Sequence, residues 1–395
     1  MMHVTALGDA GSPNWLQSSA IQTKGSRRAS TLLRRCLFIS LMTALVLPSR
    51  IDALTINATF DVTITSDPNA AAIEATINSA IAVYEADFSD PITVAFTFYK
   101  TTNGLASSSS YILPVSYADY LAALKNHATS ADDGTALAHL PSSPNNPVNG
   151  NTSITLKTPL ARALGFSASP PPGKPDSSIS LNISIMNITS SNPNPNYYSL
   201  FSAVSHEMDE GLAFGGGLDG KANGQAAPTD DSVEPQDLCR YDQNGARSWT
   251  TALNALAYCS FDGVTDLVQF NQNAAGDFED WYSTPSPLPR VQDAFGTPGA
   301  SPVLGVELRV LDAIGFTYKS SYQTAPVWVD FNYSGSQNGS YQEPYEKLAS
   351  GVSAVANGGT IAINAAIQSS TSSETMTISK PMTIISVAGP STIGP

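Results

Sequence analysis

Val204-Ser205-His206-Glu207-Met208-Asp209-Glu210-Gly211-Leu212 is the stretch whose reading decides the rest. Charged residues make up 13% of this chain, against roughly 25% in an ordinary soluble domain. His206, Glu207, Asp209 and Glu210, packed side by side, therefore need a physical reason. On a helix His206 and Glu210 stand one turn apart on a shared face. Glu207 is rotated by about 100° from His206, beside that face. This is the geometry in which two side chains hold a metal and the glutamate between them activates its water. A solvated helix face is the competing reading. Against it, the apolar entry Leu200, Phe201, Val204 and the continuation Met208, Leu212, Phe214 predict a buried helix, where acids are costly unless paired or metal-bound. Gly215-Gly216-Gly217 stops the helix, as glycines past a helix end do.

A catalytic zinc takes three protein ligands and keeps a fourth position open for water. His206 and Glu210 supply two. Asp219, just past the helix, and Asp277 and Asp280, in the acidic knot Gly276-Asp277-Phe278-Glu279-Asp280-Trp281, are equal candidates for the third. Hard carboxylate oxygens also suit structural calcium, a rival use of Asp277, Glu279 and Asp280. So carboxylate-rich a shell is less selective than imidazoles, so manganese and iron stand beside zinc. Glu207 is the expected catalytic base, taking a proton from water and handing it to the leaving amine. His127 and His139 sit in a polar stretch and read as surface residues.

With 395 residues the expectation is two domains. Residues 1–53 read as an export leader: Arg27, Arg28, Arg34 and Arg35 precede the apolar run 37–47, and small residues follow near Ala53. The run is too short to span a bilayer. The leader holds six of the 19 basic and two of the 33 acidic residues, leaving 13 against 31 and a mature net charge near −18. So acidic a surface argues against nucleic-acid or anionic-membrane partners and suits a secreted or extracytoplasmic protein without membrane insertion. Cys36 leaves with the leader. Cys239 and Cys259 then form one disulfide, as exported cysteines commonly do, or remain two buried thiols; neither has the Cys-x-x-Cys partner of a zinc ligand.

Along the chain the pattern is α+β. Residues 58–64 alternate as a strand, a helix runs from Asp67-Pro68 to Phe88, and Ile92–Tyr99 is a second strand, which makes a β-α-β unit. A helix starts at Ser116, a short strand spans 153–157 and a helical turn 160–164. Residues 178–185 alternate cleanly as a strand with one wet face. Segments around Cys239 and Cys259 and residues 265–271 read as further strands, and 306–314 as a helix that closes the domain near Tyr318.

These blocks together resemble a family of predicted exported bacterial metalloproteases with a His-Glu-x-x-Glu helix. The resemblance rests on His206-Glu207-Met208-Asp209-Glu210, Arg240-Tyr241, Ser260-Phe261-Asp262-Gly263, the knot 276–281 and Leu311-Asp312-Ala313-Ile314-Gly315-Phe316. It covers residues 54–318. It implies a zincin-like domain over 54–320, with a twisted mixed sheet and an active-site helix, hydrolysing peptide bonds with a zinc ion. In metzincin-type peptidases an edge strand upstream of the helix holds extended substrate by strand addition, the role this implies for 178–185. Family members tend to have Phe where Cys239 and Cys259 stand, and the paired change favours the disulfide. Two features depart from the pattern. Gly216 stands where a metzincin has its third ligand, and no Met falls between 211 and 375 to form a Met-turn. Gly211 also costs about 1 kcal/mol against Ala within a helix.

Past Pro326 the texture changes. Strands at 327–331, 358–363, 374–378 and 380–385 and a short helix at 345–352 resemble the capping helix and first rungs of a right-handed parallel β-helix, an all-β module over 326–395. Such solenoids need about three rungs to bury their core, so the expectation is either an incomplete array, part of a longer protein, or rungs that pack against something else. The module would serve adhesion, or docking to a protein substrate, polysaccharide or cell surface. Two functions therefore compete: an exported metal-dependent endopeptidase, and a non-catalytic extracellular binding protein with a degenerate zincin domain.

Overall fold

The structure, a computed structural model, describes residues 53–190, 193–224, 232–283, 289–319, 327–339, 343–355, 359–364, 370–387 and 391–394. The expected leader lies, apart from Ala53, outside the described residues. Strand β1 (Thr55–Phe60) leads through a single-turn helix α1 (Val62–Thr65) into the long helix α2 (Ala70–Asp87), and β2 (Thr93–Lys100) returns parallel to β1. The strand expected over 58–64 ends at Phe60 because Asp61 turns the chain: its carboxylate accepts from the Thr63 N–H at 2.8 Å and caps α1. Ile73, Ile77, Ile81 and Tyr84 recur along α2 and are buried, as their spacing predicts.

Strand β3 (Ala106–Ser110) is followed by β4 (Ile112–Ser116), α3 (Tyr117–His127) and α4 (Ala131–His139). Strand β5 (Ser153–Lys157) runs antiparallel to β4, and α5 (Thr158–Ala163) leads on to β6 (Ser177–Leu181). The main sheet has the order β1-β2-β6-β3, parallel except for β3, which runs antiparallel to β6. Residues 178–185 are therefore not the edge strand. β6 lies inside the sheet, with Ser177, Ile179 and Leu181 buried and the alternate Ser178 and Ser180 half-buried, and the chain passes into a 3₁₀ turn at Ile183. The edge is β3, a run of serines with no apolar alternation to announce it.

Two short strands, β7 (Met186–Asn187) and β8 (Tyr198–Ser199), precede α6 (Leu200–Leu212). Helix α6 starts where Ser199 Oγ accepts from the Ser202 N–H at 3.2 Å. It packs against α2 on one side and lies over β3 and β6 on another. Gly211 sits at that contact: a Cβ there would come 2.8 Å from Phe96 Cε1 and 3.4 Å from Ser177 Cβ. The propensity loss is offset by a closer approach of helix to sheet.

Beyond α6 the strands β9 (Arg240–Tyr241), β10 (Tyr258–Cys259) and β11 (Val268–Gln269) form a small antiparallel sheet, and α7 (Val306–Ile314) closes the core near Tyr318. Cys239 and Cys259 are free, buried thiols in contact with each other. The disulfide expected there is not formed; the pair packs as small apolar side chains in the core. His127 is half-buried and tied to the fold, its Nε2 2.9 Å from Asp90 Oδ1 and 2.7 Å from Thr317 Oγ1. His139 is exposed.

The C-terminal segment comprises β12 (Val327–Val329), α8 (Leu348–Ala354), β13 (Thr360–Asn364), β14 (Ser370–Ser372), β15 (Thr383–Val387) and β16 (Ser391–Ile393). They pair in parallel, β12-β13-β15 in one sheet and β14-β16 in another. Residues 374–378, expected as a strand, do other work: Glu374 Oε2 accepts from the Leu348 N–H at 2.7 Å and Oε1 from the Ala349 N–H at 3.1 Å, capping α8. Val329, Leu348, Val355, Ile361 and Ile363 give this segment a core of its own. Among the described residues no helix is long and apolar enough to cross a membrane.

Candidate metal centre

Helix α6 divides its four ionisable residues between two directions. Asp209 points into the core, fully buried, where the Tyr84 hydroxyl donates to its Oδ1 at 2.8 Å. It is a structural residue, and burial together with Glu307 pushes its carboxyl well above the usual range. His206, Glu207 and Glu210 lie together elsewhere. His206 Nδ1 donates to the Val291 carbonyl at 2.9 Å, which turns Nε2 toward the acids, as a proton donor or, once deprotonated, as a metal-binding nitrogen. Fixing the tautomer through a backbone carbonyl is what metal-ligating histidines require.

His206 Nε2 lies 3.2 Å from Glu210 Oε1 and 3.7 Å from Asp280 Oδ1. One donor atom from each of these three residues falls within 4.8 Å of the other two, so the triad could hold a metal ion. Ser108 Oγ, on the edge strand β3, donates to Glu210 Oε2 at 2.5 Å and turns Oε1 toward His206. Asp280 is positioned from a different element, and the Gln292 amide donates to its Oδ1 at 2.9 Å. The same amide nitrogen is 3.3 Å from His206 Nε2, and the Gln292 Oε1 is buried without a partner.

Electrostatics follow from this packing. Burial alone would push the His206 imidazolium down, but Asp280, Glu210 and Glu207 outweigh it and raise its pKa well above the histidine range. Burial likewise opposes the Glu210 carboxylate, yet the hydrogen bond and charge of His206, with Lys157 and Ser108, hold it at about 2. Glu207 is 2% exposed, its Oε2 has no hydrogen-bond partner, and burial with the adjacent Glu210 charge raises it well above its ordinary value. An orphaned buried carboxylate costs stability, and a strongly shifted one beside such a triad marks a candidate functional group.

Of the three candidates for a third donor, Asp280 is the one that joins His206 and Glu210. Asp277 stays outside the triad, its carboxyl pushed up to about 7 by burial, Asp219 and Glu210. Asp219 faces Glu279 instead. The calcium site expected on Asp277, Glu279 and Asp280 together does not form, because Asp280 turns to His206 while Glu279 accepts from the Leu218 N–H at 3.2 Å. Three contributors had no signal in the sequence: Ser108 sits in a serine run, and Val291 and Gln292 lie in a loop without a motif. Comparison with models of known protein families, with curated proteins and with solved structures finds no match for this chain.

Proposed function

We propose that this protein is an exported, metal-dependent endopeptidase with a zincin-like catalytic domain. One observation carries the reading: the convergence of His206 Nε2, Glu210 and Asp280 within 4.8 Å of one another, beside the partnerless buried carboxylate of Glu207. One nitrogen and two oxygens suit zinc, with manganese or iron as competitors for so oxygen-rich a set. When bound, such an ion lowers the pKa of its water to about 7 and polarises the scissile carbonyl. Glu207 then accepts the proton of the attacking water and returns it to the departing amine nitrogen. The antiparallel edge strand β3 supports the same reading. It pairs with β6 on one side only, and Ser108 ties it to Glu210, so an extended peptide added along β3 would run past the triad.

The C-terminal segment supports a β-helix start. Thr360 pairs with Thr383 and Ser370 with Ser391, so two parallel stacks repeat at nearly the same interval, as successive coils of a solenoid do. In this reading the module docks the enzyme on a polysaccharide or cell surface.

A specific observation favours a second reading, a non-catalytic binding protein with a degenerate centre. The Gln292 amide nitrogen already bridges Asp280 and His206 Nε2, much as a resident cation would. Metal analysis of the purified chain, with hydrolysis of a denatured protein substrate by wild type and Glu207→Ala, separates the two. About one metal per chain, with activity that falls at least ~100-fold in the variant while the metal stays, supports the peptidase. An inert wild type that takes up no zinc, manganese or iron supports the binding protein.

A further inference from the structure

Two consecutive loop residues address both nitrogens of the His206 ring. The Val291 carbonyl accepts from Nδ1 at 2.9 Å, and the Gln292 amide nitrogen stands 3.3 Å from Nε2. The same amide nitrogen donates to Asp280 Oδ1 at 2.9 Å, so it lies against two of the three residues whose donor atoms converge here. Gln292 is 1% exposed, and its amide oxygen is buried without a partner. An amide that spends its donor end on the ligand atoms and leaves its acceptor end idle costs stability.

The backbone of Gln292 is pinned on both sides. Its N–H donates to Glu307 Oε1 at 3.2 Å, and its carbonyl accepts from the Trp281 N–H at 2.8 Å. Trp281 follows Asp280 in the chain, so this second bond ties together the segments that carry Asp280 and Gln292. What can change without disturbing them is the last torsion of the side chain, which in a glutamine is broad and roughly two-fold. Half a revolution about it exchanges the amide nitrogen and oxygen while their positions hardly move.

We propose that Gln292 is a further ligand of the His206 centre, its amide turning over as a divalent ion enters so that Oε1 faces the ion. As placed, the amide NH₂ directs its protons at Asp280 and His206. A cation among those donors repels that end and attracts the oxygen, which has no competing hydrogen bond to give up. This assignment rests on the metal-binding reading of the centre, not on peptidase activity, and it adds a preference among metals. One imidazole, two carboxylates and an amide oxygen make a harder set than the triad alone. Zinc is satisfied by three protein donors and a water, whereas carboxylate, carbonyl and water oxygens suit manganese. The amide oxygen therefore matters more to manganese than to zinc.

The test is competition titration of the full chain against a chromophoric chelator, for manganese and for zinc, with wild type, Gln292→Leu and Gln292→Glu. Leucine keeps much of the bulk and removes the amide; glutamate keeps an oxygen at the same reach. Gln292→Leu should weaken manganese binding at least ~10-fold and zinc binding no more than ~3-fold, while Gln292→Glu retains both. With cobalt as the probe, the visible band of Gln292→Leu should be more intense than that of wild type, because losing a donor moves the ion toward tetrahedral geometry. Gln292→Asn, whose amide falls one methylene short, should show the same manganese loss and stands in for a leucine chain that fails to fold. A folded Gln292→Leu or Gln292→Asn chain with undiminished manganese affinity overturns the proposal, and a gain in affinity marks the amide as a plug that the ion must displace. Equal weakening for both metals also overturns it, since a merely structural role gives that result. Wild type that takes up neither ion overturns the His206 centre itself, and the role of Gln292 with it.

Discussion

Glu279 and Asp280 are adjacent in the chain, yet they enter two different chemical neighbourhoods. Asp280 meets an imidazole whose tautomer is set by a backbone carbonyl, and its Oδ1 is steered by an amide. Glu279 meets only oxygens and backbone N–H groups. In the first group the hydrogen bond and charge of His206 hold Glu210 down at about 2, while burial still raises Asp280 and Glu207 well above the carboxylate range. In the second nothing within ion-pair reach compensates the acids: burial, with Asp219 and Asp237 nearby, raises Glu234 to about 8, and burial raises Asp237 to about 7. Two glutamates, Glu210 and Glu234, are thus treated oppositely: the first is stabilised as an anion and the second penalised.

That contrast predicts opposite pH responses, the largest effect expected here. A carboxyl with a raised folded pKa contributes stability that is full below its unfolded value and lost as pH climbs through the folded one. Glu234 and Asp237, with Asp293, which burial raises to about 7, should cost the metal-free chain on the order of 5 kcal/mol between pH 6 and 8.5. Glu210 has the opposite sign, and its contribution is present above its ordinary value and disappears as pH falls toward 2. Denaturant unfolding across pH 3–9 checks both limbs; a metal-free chain with constant stability from pH 6 to 8.5 would remove the basis of the comparison.

A mechanical version of the contrast comes next in size. Gly211→Ala should improve helix propensity by about 1 kcal/mol but destabilise the chain by roughly 1–3 kcal/mol net, because its methyl meets the Phe96 ring at the α6–sheet contact. A thermal midpoint at or above wild type would show that α6 does not sit this close to the sheet. Ser108→Ala removes the donor to Glu210 and should weaken zinc binding about 10-fold, as competition titration with a chromophoric chelator would show. The smallest effect concerns the free pair Cys239 and Cys259: added reductant should leave the midpoint unchanged, and both thiols should react with alkylating agent only after unfolding. Cys259 in particular is pushed well above the usual thiol range by burial and by Cys239, which slows attack further.

The local pattern was legible where periodicity and burial agree. Helix α2, strand β2 and helix α6 follow from apolar spacing and cap residues, and His206, Glu207 and Glu210 from a one-turn separation on a single helix. Those are short-range facts, set by 3.6 residues per turn and the cost of burying charge. The choice of Asp280 over Asp219 and Asp277 was beyond such reasoning, because it depends on how a loop some seventy positions downstream folds back against α6. The edge strand was missed for a related reason: β3 is a serine run whose strand state comes from pairing with β6, not from its own side chains. Likewise Gly211 reads as a flaw in the helix until Phe96 is seen against it. Sequence alone settled which groups could share a helix face, since that distance is dictated by backbone geometry. Which acids meet an imidazole and which meet only each other was decided by tertiary packing, since a carboxylate's partner and charge state depend on everything within a few ångströms of it.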